Sequence, residues 1–123
     1  MAGGFNTETQ IALPWPPKEL TPNFKRRKHW SVYRPFTRSY RETCALLTKS
    51  ARNRAGGSIG SRIVAITFYP PDRRKRDDDG IISAFKAGRD GVADGLGVDD
   101  HTFRPAYYFD GPVKGGQVVV SII

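Results

Sequence analysis

The sequence predicts an α/β (α+β) fold: a single compact domain with a mixed β-sheet and two main helices. Three observations predict it. A chain of 123 residues can bury one core but not two. With 38% hydrophobic and 26% charged residues, the composition is that of a globular protein, and a disordered chain is excluded. Stretches of two-residue alternation are interspersed with stretches whose apolar residues recur every three or four positions, in the order β, α, β, α, β, β. Thirteen Gly and nine Pro supply the turns between these short elements.

Residues 1–9 are Gly-rich and polar and read as a flexible N-terminus ahead of a domain spanning 10–123. Ile11, Leu13 and Trp15 alternate like a short strand, and Pro14, Pro16 and Pro17 confine it to a sheet edge. From Lys18 to Pro35 no period is sustained, so this stretch reads as the longest irregular piece. It interleaves Lys25, Arg26, Arg27, Lys28, His29 and Arg34 with Phe24, Trp30, Tyr33 and Phe36. The cations suit phosphates. Aromatic side chains in a loop read first as anchors to the core, and only second as platforms for bases. Ser39-Tyr40-Arg41-Glu42 has the spacing of a capping box and predicts a helix start. Tyr40, Cys44, Leu47 and Ala51 then form its apolar face, and Gly56 and Gly57 stop it.

Arg62 to Tyr69 is β-branched and aromatic, with apolar residues on both faces, as a central strand requires. A second helix is predicted over Gly80 to Asp94 with Asp79 at its N-cap, ended by Gly95 and Gly97. Projected at about 100° per residue, Ile81, Phe85, Gly88 and Val92 share one side, and Asp79, Ser83, Lys86 and Asp90 the other. Pro105 to Asp110 reads as a strand. Val113 to Gly116 reads as a turn, and Gln117 to Ile123 as a last strand paired with its predecessor.

The formal net charge of +8 makes a polyanion the default partner. Cys44 is the sole cysteine, so neither an internal disulfide nor a cysteine zinc site can form, which suits a reducing compartment. No apolar stretch approaches the roughly 20 residues that cross a bilayer. A cytoplasmic location is therefore expected, with no membrane contact.

The chemistry concentrates in Pro70 to Asp79. Arg73, Arg74, Lys75 and Arg76 run directly into Asp77, Asp78 and Asp79, at the passage from strand to helix. Adjacent carboxylates repel unless a cation compensates. The arginines could do this, and so could a divalent ion held by Asp77 and Asp79. Mg²⁺ needs only one or two carboxylates together with substrate phosphate. A chain that binds phosphates and holds Mg²⁺ against them has the parts to cut them. Asp99 and Asp100 offer a further carboxylate from the loop beyond the helix. Lys86 and Asp90 also have the spacing of an ordinary i, i+4 pair. There is no glycine-rich phosphate loop, no metal-spaced histidine pair in His29 and His101, and no Ser-His-Asp set, so a small-molecule cofactor is not expected.

Leu13-Pro14-Trp15-Pro16-Pro17, Pro71 to Asp79, Gly97-Val98-Asp99-Asp100 and the Lys114-Gly115-Gly116 turn together resemble the RusA family of Holliday junction resolvases, particularly its phage-type members. The resemblance implies a homodimeric Mg²⁺-dependent endonuclease, with Mn²⁺ able to substitute, that nicks four-way DNA junctions symmetrically in recombination and repair. It implies that Asp77, Asp79 and Asp100 are catalytic and hold the metal. The family's lysine position holds Ser83 here, and its asparagine position holds Gly80, so the lysine role passes to Lys86, which keeps a Lys-x-x-x-Asp spacing with Asp90. Arg73, Arg74, Lys75, Arg76, Lys25, Arg26, Arg27 and Lys28 are the expected DNA-binding residues. Two other readings stay open: a non-catalytic nucleic-acid-binding module, and a nuclease of branched or flap DNA in general.

Overall fold

The computed structural model describes residues 8–57 and 59–123. Its four strands are β1 (Thr9–Pro14), β2 (Ile63–Tyr69), β3 (Ala106–Phe109) and β4 (Gln117–Ile122), in the sheet order β1-β4-β2-β3. The helices are α1 (Pro22–Arg26), α2 (Trp30–Arg54), α3 (Asp78–Ala84) and α4 (Lys86–Leu96), with short 3-10 turns at Lys18–Leu20 and Asp100–Thr102. The α+β class and the mixed sheet are as the sequence predicts. Among the described residues no helix is long and apolar enough to cross a membrane. Of the segment expected to be flexible, residues 1–7 lie outside the described residues, whereas Thr9 already pairs with Ile122 in β1.

β1 is an edge strand, as its prolines require, and β2 lies inside the sheet. The expected pairing of the last two strands does not occur. β3 runs parallel to β2, while β4 runs antiparallel to both β2 and β1. The reason is in the connections. A parallel neighbour needs a long crossover, which α3 and α4 supply between β2 and β3. The loop after β3 is then carried over the end of β2, where Asp110 donates its N–H to the Phe68 carbonyl and Val113 to that of Pro70. β4 therefore emerges on the opposite side of β2. Gly116 closes this loop at φ 74°, and any Cβ there would lie 2.7 Å from that of Trp15.

Alternation places Ile11 and Leu13 of β1, Ile66 and Phe68 of β2, and Val118, Val120 and Ile122 of β4 in the core. A register shift between Ile63 and Ala65 lets Ile63 and Ile66, three positions apart, both point inward. The other face of β2 is only half-buried. Phe68 is the hub, meeting Trp15 and Phe85 edge-on and stacking with Tyr107 and Phe109.

α2 corrects the sequence reading at its start. The stretch from Lys18 to Pro35 is not irregular: Thr21 caps α1 with Pro22 at its first position, and the His29 ring caps α2 by accepting from the Ser31 N–H at 3.2 Å. The Ser39 capping box is unused and lies inside the helix, as does Pro35. Tyr40, Cys44 and Ala51 are buried as expected, joined by Thr48, and α2 stops before Gly56 and Gly57, both at positive φ. Tyr40 donates its hydroxyl to the Pro14 carbonyl at 2.6 Å, tying α2 to the end of β1. Cys44 is a fully buried core residue, and burial pushes its thiol up to about 12.

Candidate functional site

The predicted second helix is two helices. Asp77, not Asp79, is the N-cap, its carboxylate accepting from the Gly80 N–H at 3.1 Å. Asp78 and Asp79 occupy the first turn, where the positive end of the helix dipole favours them. Asp77 carries an intrinsic reason for being an aspartate, which sequence spacing had assigned to its neighbour. At Phe85 the ladder breaks, and α4 starts afresh at Lys86 and continues through Gly95 to Leu96. Gly97, at φ 73°, is the true terminator.

The break leaves the exposed face of α4 intact and puts Lys86 at its base. The Lys86 ammonium lies 2.5 Å from an Asp90 carboxylate oxygen and 2.5 Å from one of Asp100. Asp90 is one turn along the same helix, whereas Asp100 arrives from the 3-10 turn beyond it. Carboxylates from two separated elements thus converge on one cation. Burial pulls the lysine down, but the two carboxylates outweigh it and Lys86 sits above its ordinary value. Asp100 is held down to about 2, chiefly by Lys86. Asp90 goes the other way, because burial and the neighbouring Asp100 outweigh the attraction of Lys86.

Arg89 sets the position of Asp100. Its guanidinium donates to the carbonyls of Asp100 and Phe103 and to the Tyr107 hydroxyl, at 3.1 to 3.2 Å. The 3-10 turn is thereby fastened to α4 and β3. Sequence reasoning passed over Arg89, although an arginine among Ala87, Gly88 and Gly91, all buried, needs internal partners.

The basic run divides. Arg76 is folded back, bonded to the Asp72 carboxylate at 2.9 Å and to the carbonyls of Asp72 and Arg74, with its guanidinium 5.9 Å from the Trp15 ring. Asp72 is held below its usual range chiefly by Arg76, so this arginine shapes the loop and does not offset Asp77 to Asp79. Arg73, Arg74 and Lys75 are exposed. A cleft of about 500 Å³ opens between Trp15 and α3, with Lys18, Arg26, Arg74 and Lys75 on its walls and Asp77 at its margin. Lys25, Arg27 and Lys28 lie on or beside α1, and Arg27 and Lys28 are exposed.

Among the described residues, no three His, Cys, Asp or Glu side chains stand together as a metal-holding group. Asp77, Asp79 and Asp100 are therefore not assembled into one three-carboxylate set. What is brought together is Asp90 and Asp100. That pair already accommodates a cation, the Lys86 ammonium, and supplies two hard oxygen donors, the number Mg²⁺ asks of a protein when substrate phosphate completes its shell. In the structure the Lys86 ammonium takes the place between them, so a magnesium ion held there would have to displace it.

No protein-family model matches the chain. An uncharacterised protein of Xylella fastidiosa (strain Temecula1) is 36% identical to it over 123 residues, an alignment covering 97% of this chain and 78% of the relative.

Proposed function

The chain belongs to one family with the uncharacterised Xylella fastidiosa protein, and from its own side chains we propose that it is a Mg²⁺-dependent endonuclease of branched DNA, with the four-way junction its preferred substrate. One observation carries the reading: an exposed Lys86 is shared between the partly buried carboxylates of Asp90 and Asp100, an arrangement whose charges invite a phosphate and a metal. The cationic cleft beside Asp77 supports it, and so does the resemblance to the RusA resolvases. In this reading Asp100 and Asp90 hold the ion, with Asp77 and Asp79 facing the same strand from the start of α3. Bound Mg²⁺ would supply the charge that activates water and stabilises the leaving 3′ oxygen. Lys86, displaced from between the carboxylates, offsets charge on the phosphate under attack. Arg73, Arg74, Lys75 and the cations of α1 hold the DNA by its phosphates. Paired nicks call for two identical sites about an axis, hence a two-fold homodimer.

A second reading has its own support. The structural roles of Asp77 as N-cap and of Asp78 and Asp79 in the first turn of α3, with the unassembled three-carboxylate set, favour a non-catalytic nucleic-acid-binding module. One assay separates the two. The protein is incubated with a synthetic four-way junction, a flap and a linear duplex in Mg²⁺, in Mn²⁺ and in chelator. The nuclease reading expects symmetric nicks in the junction that need a divalent ion, and Asp100→Asn should lose at least about 100-fold in rate while binding the junction as tightly or tighter. Junction binding without nicking in either metal gives the case to the binding module. Equal cutting of flap and junction widens the substrate class.

A further inference from the structure

The start of α2 is a surface without an explanation inside the monomer. Residues 30–39 contain no buried side chain, and the first is Tyr40. At about 1.5 Å per residue this is roughly 15 Å of helix in which only Tyr33 and Thr37 are even half-buried. Trp30 is 51% exposed and Phe36 39%, so neither is a buried core anchor, contrary to what aromatics in this stretch suggested. Large aromatic faces left in water mark a binding surface.

The chemistry of that surface selects its occupant. Its rings are layered with cations: the Arg34 guanidinium lies 5.2 Å from the centre of the Trp30 ring and the Lys25 ammonium 5.2 Å from that of Tyr33, while the His29 ring lies 5.3 Å from Trp30 as a second flat face. Trp30, Arg34, Pro35 and Arg38 border a hollow of about 400 Å³, with one carboxylate, that of Glu42, at the Arg38 end against the two arginines. No acidic residue occurs between Glu19 and Glu42. A second copy of the chain packing this surface on itself about a two-fold axis would bring cations against cations here. A partner with flat apolar faces and regularly spaced negative charge is complementary, and that describes nucleobases on their phosphate backbone.

We infer that this projecting turn of α2 stacks on unpaired bases of the DNA substrate, with Trp30 as the platform and Arg34 and Arg38 on the flanking phosphates. The inference rests on the proposed function for the identity of the partner, but not for its cleavage. A branched DNA offers such bases where its arms meet, whereas a closed duplex does not.

The test measures binding without divalent ions, so that nothing is cut. Affinities are compared for a four-way junction, a single strand and a fully paired duplex. Trp30→Ala should weaken the first two by about tenfold or more, the loss of one stacked base. Duplex binding should change less than about twofold, and Trp30→Phe should keep most of the affinity. Equal losses on all three probes, or none on any, overturn the inference. So does sedimentation showing that Trp30→Ala splits a dimer into monomers, since the surface would then be an interface between copies. Thermal unfolding checks that the exposed site leaves the fold unchanged. If nicking is absent yet this selectivity is seen, only the nuclease reading fails; if nicking occurs and the selectivity is not seen, only the stacking inference fails.

Discussion

Asp90 and Asp100 touch the same ammonium, yet their carboxyls are pushed in opposite directions. The difference is burial: Asp100 meets Lys86 near solvent, while Asp90 loses more hydration than the shared cation returns. Their contributions to stability have opposite pH dependence. Asp100 ionises more readily folded than unfolded, so its stabilisation is complete above the ordinary carboxylate range of about 4 and is lost as pH falls towards about 2. Asp90 binds its proton more tightly when folded, so its ionised form costs stability above its raised value, and that cost is relieved as pH falls. Carboxyl-carbon NMR of the metal-free protein should find Asp100 titrating well below the ordinary range and Asp90 above it. Lys86→Met should move both upward. Two carboxyls titrating together near the unperturbed value, unmoved by that substitution, would show that the ammonium is not shared. The residue scale also shows what the sequence could reveal of the site. The pairing of Lys86 with Asp90 was legible from its i, i+4 spacing, whereas Asp99 and Asp100 were offered together by the loop, and only the fold shows that Asp100 is the one that meets Lys86. Whether Asp77 and Asp79 meet Asp100 depends on how two loops are placed, and no local pattern encodes that.

At the scale of elements, α2 and α4 approach through glycine. A Cβ on Gly91 would lie 2.3 Å from the Arg41 carbonyl oxygen and 2.9 Å from the Cys44 Cβ, and one on Gly95 2.6 Å from that of Thr48. Arg41 and Asp94 then clasp the pair from outside at 2.6 and 2.9 Å. Alanine is the better helix former by about 1 kcal/mol, but overpacking costs about 1–3 kcal/mol, and a collision with backbone cannot be relieved by changing a rotamer. Gly91→Ala should therefore lose about 1–2 kcal/mol in urea unfolding at unchanged slope. Gly97→Ala, with open space around it but φ at 73°, should lose about 1 kcal/mol through strain alone. A stabilised Gly91→Ala would mean that the helices are farther apart than described here. Elements were legible where side chains carry a period, as in β1 and the half of α2 after Tyr40, or a run of β-branched and aromatic residues, as in β2. The first half of α2 was not, because a helix turn that buries nothing shows no apolar face, and Pro35 reads as a break. The partner of β3 was hidden for another reason: alternation tells which face of a strand is buried but not which strand lies beside it.

Across the whole molecule the charges separate. The cations of α1 and the start of α2 fall in a stretch without acids, while Asp77 to Asp79, Asp90, Asp94 and Asp100 gather on α3, α4 and the turn that follows. A net +8 distributed in this way concentrates the draw on a polyanion, DNA in the proposed function, in one region and keeps repulsion low only where carboxylates are neutralised. Each phosphate neutralised by a Lys or Arg releases counterions, steepening the fall of log K with log salt by about 0.9. If Lys25, Arg26, Arg27 and Lys28 each hold a phosphate, replacing all four by alanine should flatten the slope for junction binding by about 3 to 4. Arg26 already donates to the Asn23 side chain at 3.1 Å, so its share is the smallest of the four. Asp100→Asn, by contrast, removes a repulsion at one phosphate and should leave the slope nearly unchanged. Titrations of a labelled junction between about 50 and 200 mM salt, the range over which six to ten contacts cost about 10³ to 10⁵ in affinity, measure both variants. An unaltered slope in the quadruple variant would move the DNA away from α1 and onto Arg73, Arg74 and Lys75 alone, separating the backbone contacts from the aromatic start of α2.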